Sequence, residues 1–324
     1  MPILLEFERH IANLEAQVER LRQQAEEDPE GVGQATTDLQ QEVESLRENY
    51  YANLTAYQRT MLSRHPERPF TLDYVDLVFE DWMELHGDRN FTDDPSVIGG
   101  LARLDGRPVV IVGHQKGRTA KEMVARNYGM PTPEAFRKGL RLMRLAERTR
   151  RPIITFVDTP GAYPGIGAEE RGQAEAIARN IMVMSELTVP IIAVVIGEGG
   201  SGGALALATA NRILMFQNSM FSVISPEACA SILWRDKAEA PRAAEALRYL
   251  ARNCQEIGIA NEVIPEPSTG AHRDFDAAGA ALKEALVRHL GELSAMSPDE
   301  LRADRYAKLR AIGAFEQVAV AAED

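Results

Sequence analysis

Two glycine-rich turns hold the residues of this sequence whose types and spacing could do chemistry. They are DTPGAYPG at residues 158–165 and GEGGSGG at residues 197–203. Each follows a short apolar run and precedes a helix-like stretch, which predicts two strand-to-helix turns at the carboxyl ends of parallel strands. Backbone N–H groups at the start of a helix have no intrahelical partner, so they can stabilise negative charge that develops on an oxygen.

The second turn predicts the position of such an oxyanion hole. Gly199, Gly200, Gly202 and Gly203 are hard to explain by packing alone, since each costs roughly 0.5–1 kcal/mol of backbone entropy relative to alanine. Gly202 and Gly203 stand where the helix begins, and no side chain shields their N–H groups. We therefore predict that these two amides form the hole. Close packing of the helix against the strand is the alternative explanation.

The same turn also fits two weaker patterns. Gly197, Gly199 and Gly202 match a dinucleotide-binding fingerprint, but the next predicted strand ends without the acid that would hold a ribose. Ser201 between glycines matches a nucleophile elbow. A serine hydrolase would also need a carboxylate and a histidine, and nothing singles out a pair among the available candidates, which are Asp236, Asp274, Asp276, His272 and His289.

Charged residues near the turns are candidates for substrate contacts. Lys116 and Arg118 follow a predicted strand and could meet a phosphate or carboxylate, although an exposed basic loop is the plainer explanation. Asp158 is predicted to be a capping carboxylate rather than a site group. Ser225 and Glu227 are likewise predicted to be turn and cap residues.

Composition narrows the classes of function. The 324 residues are 45% hydrophobic and 26% charged, as in an ordinary globular protein of one large or two smaller domains. No apolar run reaches the length of a membrane span, and the first residues do not resemble a signal peptide. A net charge of −12 argues against general nucleic-acid binding. Cys229 and Cys254 cannot build a disulfide framework or a four-cysteine zinc site, so we expect buried thiols in a cytoplasmic protein without a metal.

The charge is distributed unevenly along the chain. Residues 107–151 contain twelve Lys and Arg against three acids, a net charge of +9, which leaves −21 for the remainder. Many of these cations lie on a predicted helix from Pro133 to Arg150. They form either a solvated arginine-rich face or a basic zone that attracts an anionic substrate or an acidic partner.

Periodicity predicts the elements that position the turns. An apolar heptad seam near the N-terminus and a second apolar helix after residue 37 predict a helical hairpin that packs on its own domain or on another subunit. The seam consists of Leu4, Phe7, Ile11, Leu14, Val18 and Leu21.

Asp105-Gly106 between two apolar runs predicts a β-hairpin. Farther along, strands alternate with helices. One predicted helix runs through His86 from a cap at Thr71 or Asp73, and another runs from Glu169 to Leu187. This alternation is typical of a mostly parallel α/β sheet.

Four motifs together resemble one known family. DTPGAYPG, GEGGSGGALA, GHQKGR (residues 113–118) and SPEACASILW (residues 225–234) occur in the order found in carboxyltransferase alpha subunits of bacterial, multi-subunit acetyl-CoA carboxylase. The similarity runs from about residue 72 to residue 267. It implies an α/β, crotonase-like core of repeated ββα units with an N-terminal helical hairpin. The implied domains are a hairpin at 1–64, a core at 65–295 (with a family-domain start near 38 as the alternative), and a C-terminal helix and tail at 296–324.

The resemblance also implies an activity and a set of partners. Members transfer the carboxyl group of carboxybiotin, which is carried on a separate biotin carrier protein, to acetyl-CoA and form malonyl-CoA. ATP is used by the biotin carboxylase component, and a zinc-ribbon beta subunit completes the active site, in an expected α2β2 heterotetramer. By the same resemblance Gly202 and Gly203 are catalytic. The expected substrate-binding residues are Gly161, Ala162, Gly199, Gly200, Lys116 and Arg118.

Two other functions compete with this expectation. A stand-alone crotonase-like hydratase or hydrolase would act on acyl-CoA without a partner, and it would need a catalytic acid such as Glu169 or Glu198. A non-catalytic scaffold could use the hairpin seam, but it would have no use for the glycine-rich turns.

Overall fold

The computed structural model describes residues 4–9, 12, 13, 16, 17, 19, 20, 41 and 43–313. In this part of the chain, eight strands form one mixed sheet. The first six strands lie side by side in chain order, the eighth follows the sixth, and the seventh pairs with the end of the fifth. The strands are β1 (Glu80–Glu84), β2 (Val97–Leu104), β3 (Arg107–His114), β4 (Ile153–Thr159), β5 (Ile191–Gly200), β6 (Arg212–Phe216), β7 (Met220–Ser222) and β8 (Glu262–Ile264). The pairings from β3 to β8 are parallel, and β1, β2 and β3 pair antiparallel.

Helices cover both faces of the sheet. They are α1 (Ala56–Ser63), α2 (Thr71–Val78), α3 (Ala120–Ala125), α4 (Pro133–Arg148), α5 (Ile166–Glu170), α6 (Gln173–Glu186), α7 (Ser201–Ala208), α8 (Pro226–Leu233), α9 (Ala240–Leu247), α10 (Ala251–Glu256), α11 (Phe275–Ser294) and α12 (Pro298–Ala311), and residues 43–52 are also helical. No helix of the described residues is both long enough and apolar enough to cross a membrane.

The central strands are buried on both sides because their residues alternate between two cores. In β5, Ile192, Val194 and Ile196 pack with residues of α2 and α11. Ile191, Ala193 and Val195 of the same strand pack with residues of α4, α6 and α7. Burial on both faces explains why the parallel strands are almost continuously apolar in the sequence.

The predicted β-hairpin is confirmed. β2 and β3 pair antiparallel, with Leu104 opposite Arg107. The two turn residues between them, Asp105 and Gly106, both have positive φ, at 51° and 74°. A two-residue turn of this kind matches the twist of the paired strands, which is why Asp-Gly is such a strong hairpin signal.

Two predicted helices are wrong in their extent. The helix that was expected to reach His86 ends at Val78, and Glu80–Glu84 instead pairs with β2 as an edge strand. The helix predicted from Glu169 to Leu187 is two helices, because Gly172 between them adopts a left-handed backbone with φ of 82°. That break orients the short α5 separately from α6.

The described part of the N-terminal segment packs on its own chain. Leu5 and Phe7 contact a cluster formed by Tyr51, Leu54 and Leu62. Glu8 is buried there and accepts a hydrogen bond of 2.5 Å from the Tyr51 hydroxyl. The seam residues Ile11, Leu14, Val18 and Leu21 lie outside the described residues, so the predicted intersubunit seam and domain boundaries stay predictions.

Candidate active site

The two glycine-rich turns lie side by side. β4 and β5 are neighbouring parallel strands, and their register places Thr159 opposite Gly199. The backbones of the turns touch directly, because a Cβ atom placed on Gly203 would lie 2.6 Å from the Ala162 nitrogen and 2.8 Å from the Gly161 carbonyl carbon. The prediction that both turns lie at the carboxyl ends of parallel strands is therefore confirmed.

The start of α7 leaves backbone donors without partners inside the helix. Gly202 and Gly203 are its second and third residues, and the residue before the helix, Gly200, offers no capping side chain. Their amides therefore keep the capacity to bind an oxygen anion. In the other turn the Gly161 amide donates to Thr159 Oγ1 at 3.1 Å. The Ala162 amide makes no hydrogen bond within the described residues, so it is available as a donor.

Packing explains more of the glycines than we expected from the sequence. A Cβ on Gly199 would collide with Phe221 and the Met220 carbonyl, and a Cβ on Gly200 would collide with Pro160. Gly203 is constrained in the same way by the first turn. Gly202 differs, since its nearest neighbour, Ile177, would lie at an ordinary 3.7 Å. The expectation that packing cannot account for these glycines is therefore wrong for three of the four.

An ion-pair network holds three strand ends together beneath the turns. Lys116, just beyond β3, places its Nζ 2.7 Å from Asp158 Oδ1 and 2.8 Å from Glu198 Oε2. The Glu198 amide also donates to Asp158 Oδ1 at 2.9 Å. Lys116 thus pairs with a carboxylate on each of the two strands that lead into the turns. Because its charge is matched by two carboxylates, its role as a substrate contact stays a prediction.

We call this ion-pair network the Lys116 clamp. Burial favours the neutral form of its carboxyl groups, whereas the neighbouring cations favour the charged form. Burial favours the neutral carboxyl of Glu198, but the Lys116 and Arg64 cations outweigh that effect and hold its pKa below the usual range. Burial raises the pKa of Asp158, and Lys116 opposes the increase. An ionised Glu198 in two ion pairs has no proton to donate at neutral pH, so it does not suit the acid of a hydratase.

Arg64 extends the clamp outward to α8. Its Nε lies 2.6 Å from Glu198 Oε1 and its Nη1 lies 2.7 Å from Glu227 Oε1. The prediction that Asp158 is a cap is therefore wrong, because its carboxylate pairs with Lys116 and accepts from the amide of a strand residue. Glu227 lies in the first turn of α8, as a cap residue would, and joins the ion-pair network as well. Ser225, by contrast, does cap α8 by accepting from the Ala228 amide, as predicted.

Arg118 faces a different surface from Lys116. Its Nη2 lies 2.8 Å from Asp73 Oδ2, and its guanidinium carbon lies 4.6 Å from the centroid of the Phe70 ring. The side chain is 40% exposed, so it remains accessible to an anion while it is held by an acid and an aromatic ring. Its role in substrate binding stays a prediction.

His114 is an ionisable group that the sequence analysis did not select. It ends β3, is fully buried, and accepts a hydrogen bond from the Asp158 amide at Nδ1 over 3.3 Å. Its Nε2 has no partner within the described residues. Burial lowers the pKa of this imidazole to about 3, so the ring is neutral at physiological pH and carries its proton on Nε2. Its place in GHQKGR, at the end of a predicted strand, was the one signal in the sequence that could have selected it.

The serine-nucleophile hypothesis fails on the positions of its partners. Ser201 is exposed and has a positive φ of 52°, as a nucleophile elbow requires. The histidines proposed to activate it are engaged elsewhere, His272 with Glu8 and His289 with Glu262. The proposed acids Asp236 and Asp274 cap other helices. No Ser-His-carboxylate arrangement exists among these residues.

Sequence comparison identifies relatives along almost the whole chain. A family model described as acetyl co-enzyme A carboxylase carboxyltransferase-like matches residues 4–313. The acetyl-coenzyme A carboxylase carboxyl transferase subunit alpha of Halorhodospira halophila is 53% identical over 309 residues, which are 95% of this chain and 97% of that protein. The protein of the same name from Syntrophotalea carbinolica is 54% identical over 313 residues, 96% of this chain and 98% of that protein.

Solved structures agree on the fold. Transcarboxylase 12S, with methylmalonyl-coenzyme A and methylmalonic acid bound, aligns with a TM-score of 0.58 at 20% identity over 70% of this chain and 42% of that chain. The beta subunit of geranyl-CoA carboxylase from P. aeruginosa aligns with a TM-score of 0.54 at 15% identity over 75% of this chain and 46% of that chain. The chain therefore spans less than half the length of these two structures. The predicted crotonase-like fold is confirmed by them.

Proposed function

This chain belongs to the alpha-subunit family of acetyl-coenzyme A carboxylase carboxyltransferases, and from that membership we propose that it transfers a carboxyl group from carboxybiotin to acetyl-CoA. The product, malonyl-CoA, would serve fatty-acid synthesis. The observation that carries the proposal at the level of the site is the direct contact between the two turns, with unpartnered amides at the start of α7.

The chemistry of this transfer suits a site built from backbone. When carboxybiotin releases its carboxyl group, negative charge develops on the ureido oxygen of biotin. The Gly202 and Gly203 amides would donate to that oxygen, and the Ala162 amide stands beside them. Gly161, Gly199 and Gly200 would shape the pocket by allowing the two backbones to approach. Preorganised donors of this kind typically contribute about 10²–10³ in rate each.

A protein base is not needed in this scheme, because the biotin nitrogen can take the proton from the acetyl methyl group. This agrees with a site in which His114 is buried and neutral and Glu198 is held by two cations. The alternative, a stand-alone hydratase or hydrolase, lacks a suitable acid at Glu198. Glu169 is exposed on α5, and no ion pair or hydrogen bond of its side chain is found in the described residues.

The partners follow from the same proposal. The chain would work with a beta subunit that holds acetyl-CoA and carries a zinc ribbon, with a biotin carrier protein, and with the biotin carboxylase that uses ATP. An α2β2 arrangement in the cytoplasm is the proposed assembly. Exposed apolar side chains near the turns give a partner a surface to cover, including Tyr163, Ile166, Leu205, Val223 and Ile232.

Reconstitution tests the proposal directly. Malonyl-CoA formation from acetyl-CoA and carboxybiotin is measured with this chain alone, with a beta subunit alone, and with the two mixed. We expect turnover only in the mixture. Hydration or hydrolysis of acyl-CoA by this chain alone would overturn the proposal in favour of a complete crotonase-type enzyme.

A further inference from the structure

An arginine-lined cleft lies outside the two turns, and none of its lining residues has been given a role above. It encloses about 730 Å³ between the 88–90 loop, α4 and α6. Six arginines and three acids line it, so its lining carries a net charge of +3. The arginines are Arg89, Arg137, Arg141, Arg144, Arg148 and Arg179.

The acids of the cleft are already used by other groups. Asp88 Oδ1 accepts from the backbone amides of residues 90, 91 and 92 at 2.8–3.1 Å. Glu147 Oε1 accepts from the amide and hydroxyl of Thr188 at 3.0 and 3.1 Å. Glu175 pairs with Arg179 at 2.5 Å. These contacts leave the three carboxylates charged, and the lining keeps a net charge of +3.

Three of the six guanidinium groups have no partner among the residues that the structure describes. Arg89, Arg144 and Arg148 make no ion pair, hydrogen bond or ring contact within the described part of the chain. Arg141, which donates to the carbonyls of His86 and Gly87, has a pKa lowered by burial and by the nearby charge of Arg89. The cleft thus holds cations that repel each other and that an anion would stabilise.

The spacing on α4 argues against a chance collection of surface arginines. Positions 137, 141, 144 and 148 follow the i, i+4, i+7, i+11 pattern and lie on one face of the helix. Like charges three or four residues apart cost about 0.2–0.5 kcal/mol per pair, so an empty row of this kind destabilises the helix. Such a cost is offset when the arginines share an anionic ligand.

We propose that this cleft binds a nucleotide that carries two or more phosphate groups. A planar guanidinium group can donate two hydrogen bonds to the oxygens of one phosphate. Three unpaired guanidinium groups can therefore bind more than one phosphate. The volume lies in the range of small-molecule sites, and Leu140 and Ala176 add apolar surface on which a base can lie. The ligand is either the phosphorylated adenosine end of coenzyme A or a free nucleoside polyphosphate. Coenzyme A as the source rests on the proposed function, whereas a free nucleotide does not.

Calorimetric titration of the full chain with coenzyme A, dephospho-coenzyme A, ATP and inorganic tripolyphosphate tests the proposal. We expect a dissociation constant below about 1 mM for at least one nucleotide at roughly 0.1 M salt. Preference for coenzyme A over its dephospho form identifies the substrate as the source of the phosphates. Equal or tighter binding of ATP identifies a free nucleotide. Binding of tripolyphosphate alone, or of none of the four, overturns the proposal.

A matched pair of variants locates the site. R144A/R148A removes two unpaired cations of the cleft and should weaken nucleotide binding at least tenfold, with an unchanged unfolding temperature. R248A/R252A removes two exposed arginines, also four residues apart, that lie outside the cleft and pair with Glu256. It should bind as the parent does. Equal affinity of both variants, or equal loss in both, would show that the nucleotide binds elsewhere or through net charge alone.

Discussion

At the scale of single residues, the neighbouring glycines Gly202 and Gly203 do different things. Gly203 has no space for a side chain because the first turn passes against it, whereas Gly202 has ordinary space beside Ile177. Packing therefore accounts for a glycine at position 203, and it does not account for one at position 202. Substitutions at position 202 can thus change the amide donor without forcing the two turns apart.

We expect Gly202→Ala to keep malonyl-CoA formation within a few-fold of the parent, because alanine retains the amide and fits the space. Gly202→Pro removes that amide at a helix position where no intrahelical hydrogen bond is lost, and it should reduce turnover by about 10²–10³. Steady-state rates of the reconstituted enzyme measure both. Binding of each variant to the beta subunit and its unfolding temperature are the controls. A Gly202→Pro enzyme that assembles and turns over normally would refute the oxyanion assignment.

At the scale of elements, the Lys116 clamp sets where the two turns stand. Three neighbouring parallel strands end at one edge of the sheet, and a single ammonium group touches carboxylates on two of them. Removing one member of a buried ion pair typically costs about 3–5 kcal/mol, because a buried charge is left without compensation. Lys116 is therefore a positioning residue. Its loss should lower the free energy of unfolding and, as a distinct effect, displace the two turns.

Lys116→Met should lower both the free energy of unfolding and kcat of the reconstituted enzyme, the latter at least tenfold. The double variant K116M/D158N removes the carboxylate left unpaired, while asparagine can still accept from the Glu198 amide. We expect it to regain much of the lost stability without regaining kcat, with D158N alone as the matched control. Denaturant unfolding and kcat are measured in parallel. If kcat returned together with stability, Lys116 would contribute to folding only.

Much of this arrangement could be predicted from the sequence, and the remainder depends on contacts between distant positions. The apolar runs, the Asp105-Gly106 hairpin and the glycine-rich turns are local signals, and each one lies where it was expected. The partners of Asp158 and Glu227 are not local, since Lys116 and Arg64 reach them from other elements. A carboxylate beside a helix start has the same local pattern whether it caps that helix or pairs with a distant cation. The end of α2 was missed because the edge strand that follows it is short and polar.

At the scale of the whole molecule, buried ionisable groups make the stability of the fold depend on pH. The folded-state pKa of His114 is lowered to about 3 from an ordinary 6.5, because burial excludes the charged ring. Glu266 is buried as well, but the Arg68 guanidinium outweighs burial and holds the pKa of this carboxyl at about 2. In both cases the unfolded chain binds protons more readily than the folded chain. Stability therefore falls as the pH falls, from about 6.5 for His114 and from about 4.5 for Glu266.

The window of His114 begins at a higher pH than the window of Glu266, so the effect of His114 can be measured by itself between pH 7 and pH 5. Between pH 7 and pH 5 the protonation of His114 in the unfolded chain should remove about 2 kcal/mol of stability, since one pKa unit corresponds to about 1.4 kcal/mol. His114→Gln retains an acceptor for the Asp158 amide but cannot titrate, so its stability should change less over that window. Glu266→Gln should be less stable at neutral pH and should change less than the parent below about pH 4.5. Urea unfolding between pH 8 and about pH 2 measures all three proteins. The assignment of this loss of stability to His114 fails if H114Q loses stability between pH 7 and pH 5 as steeply as the parent does. The loss in that range would then come from other histidines.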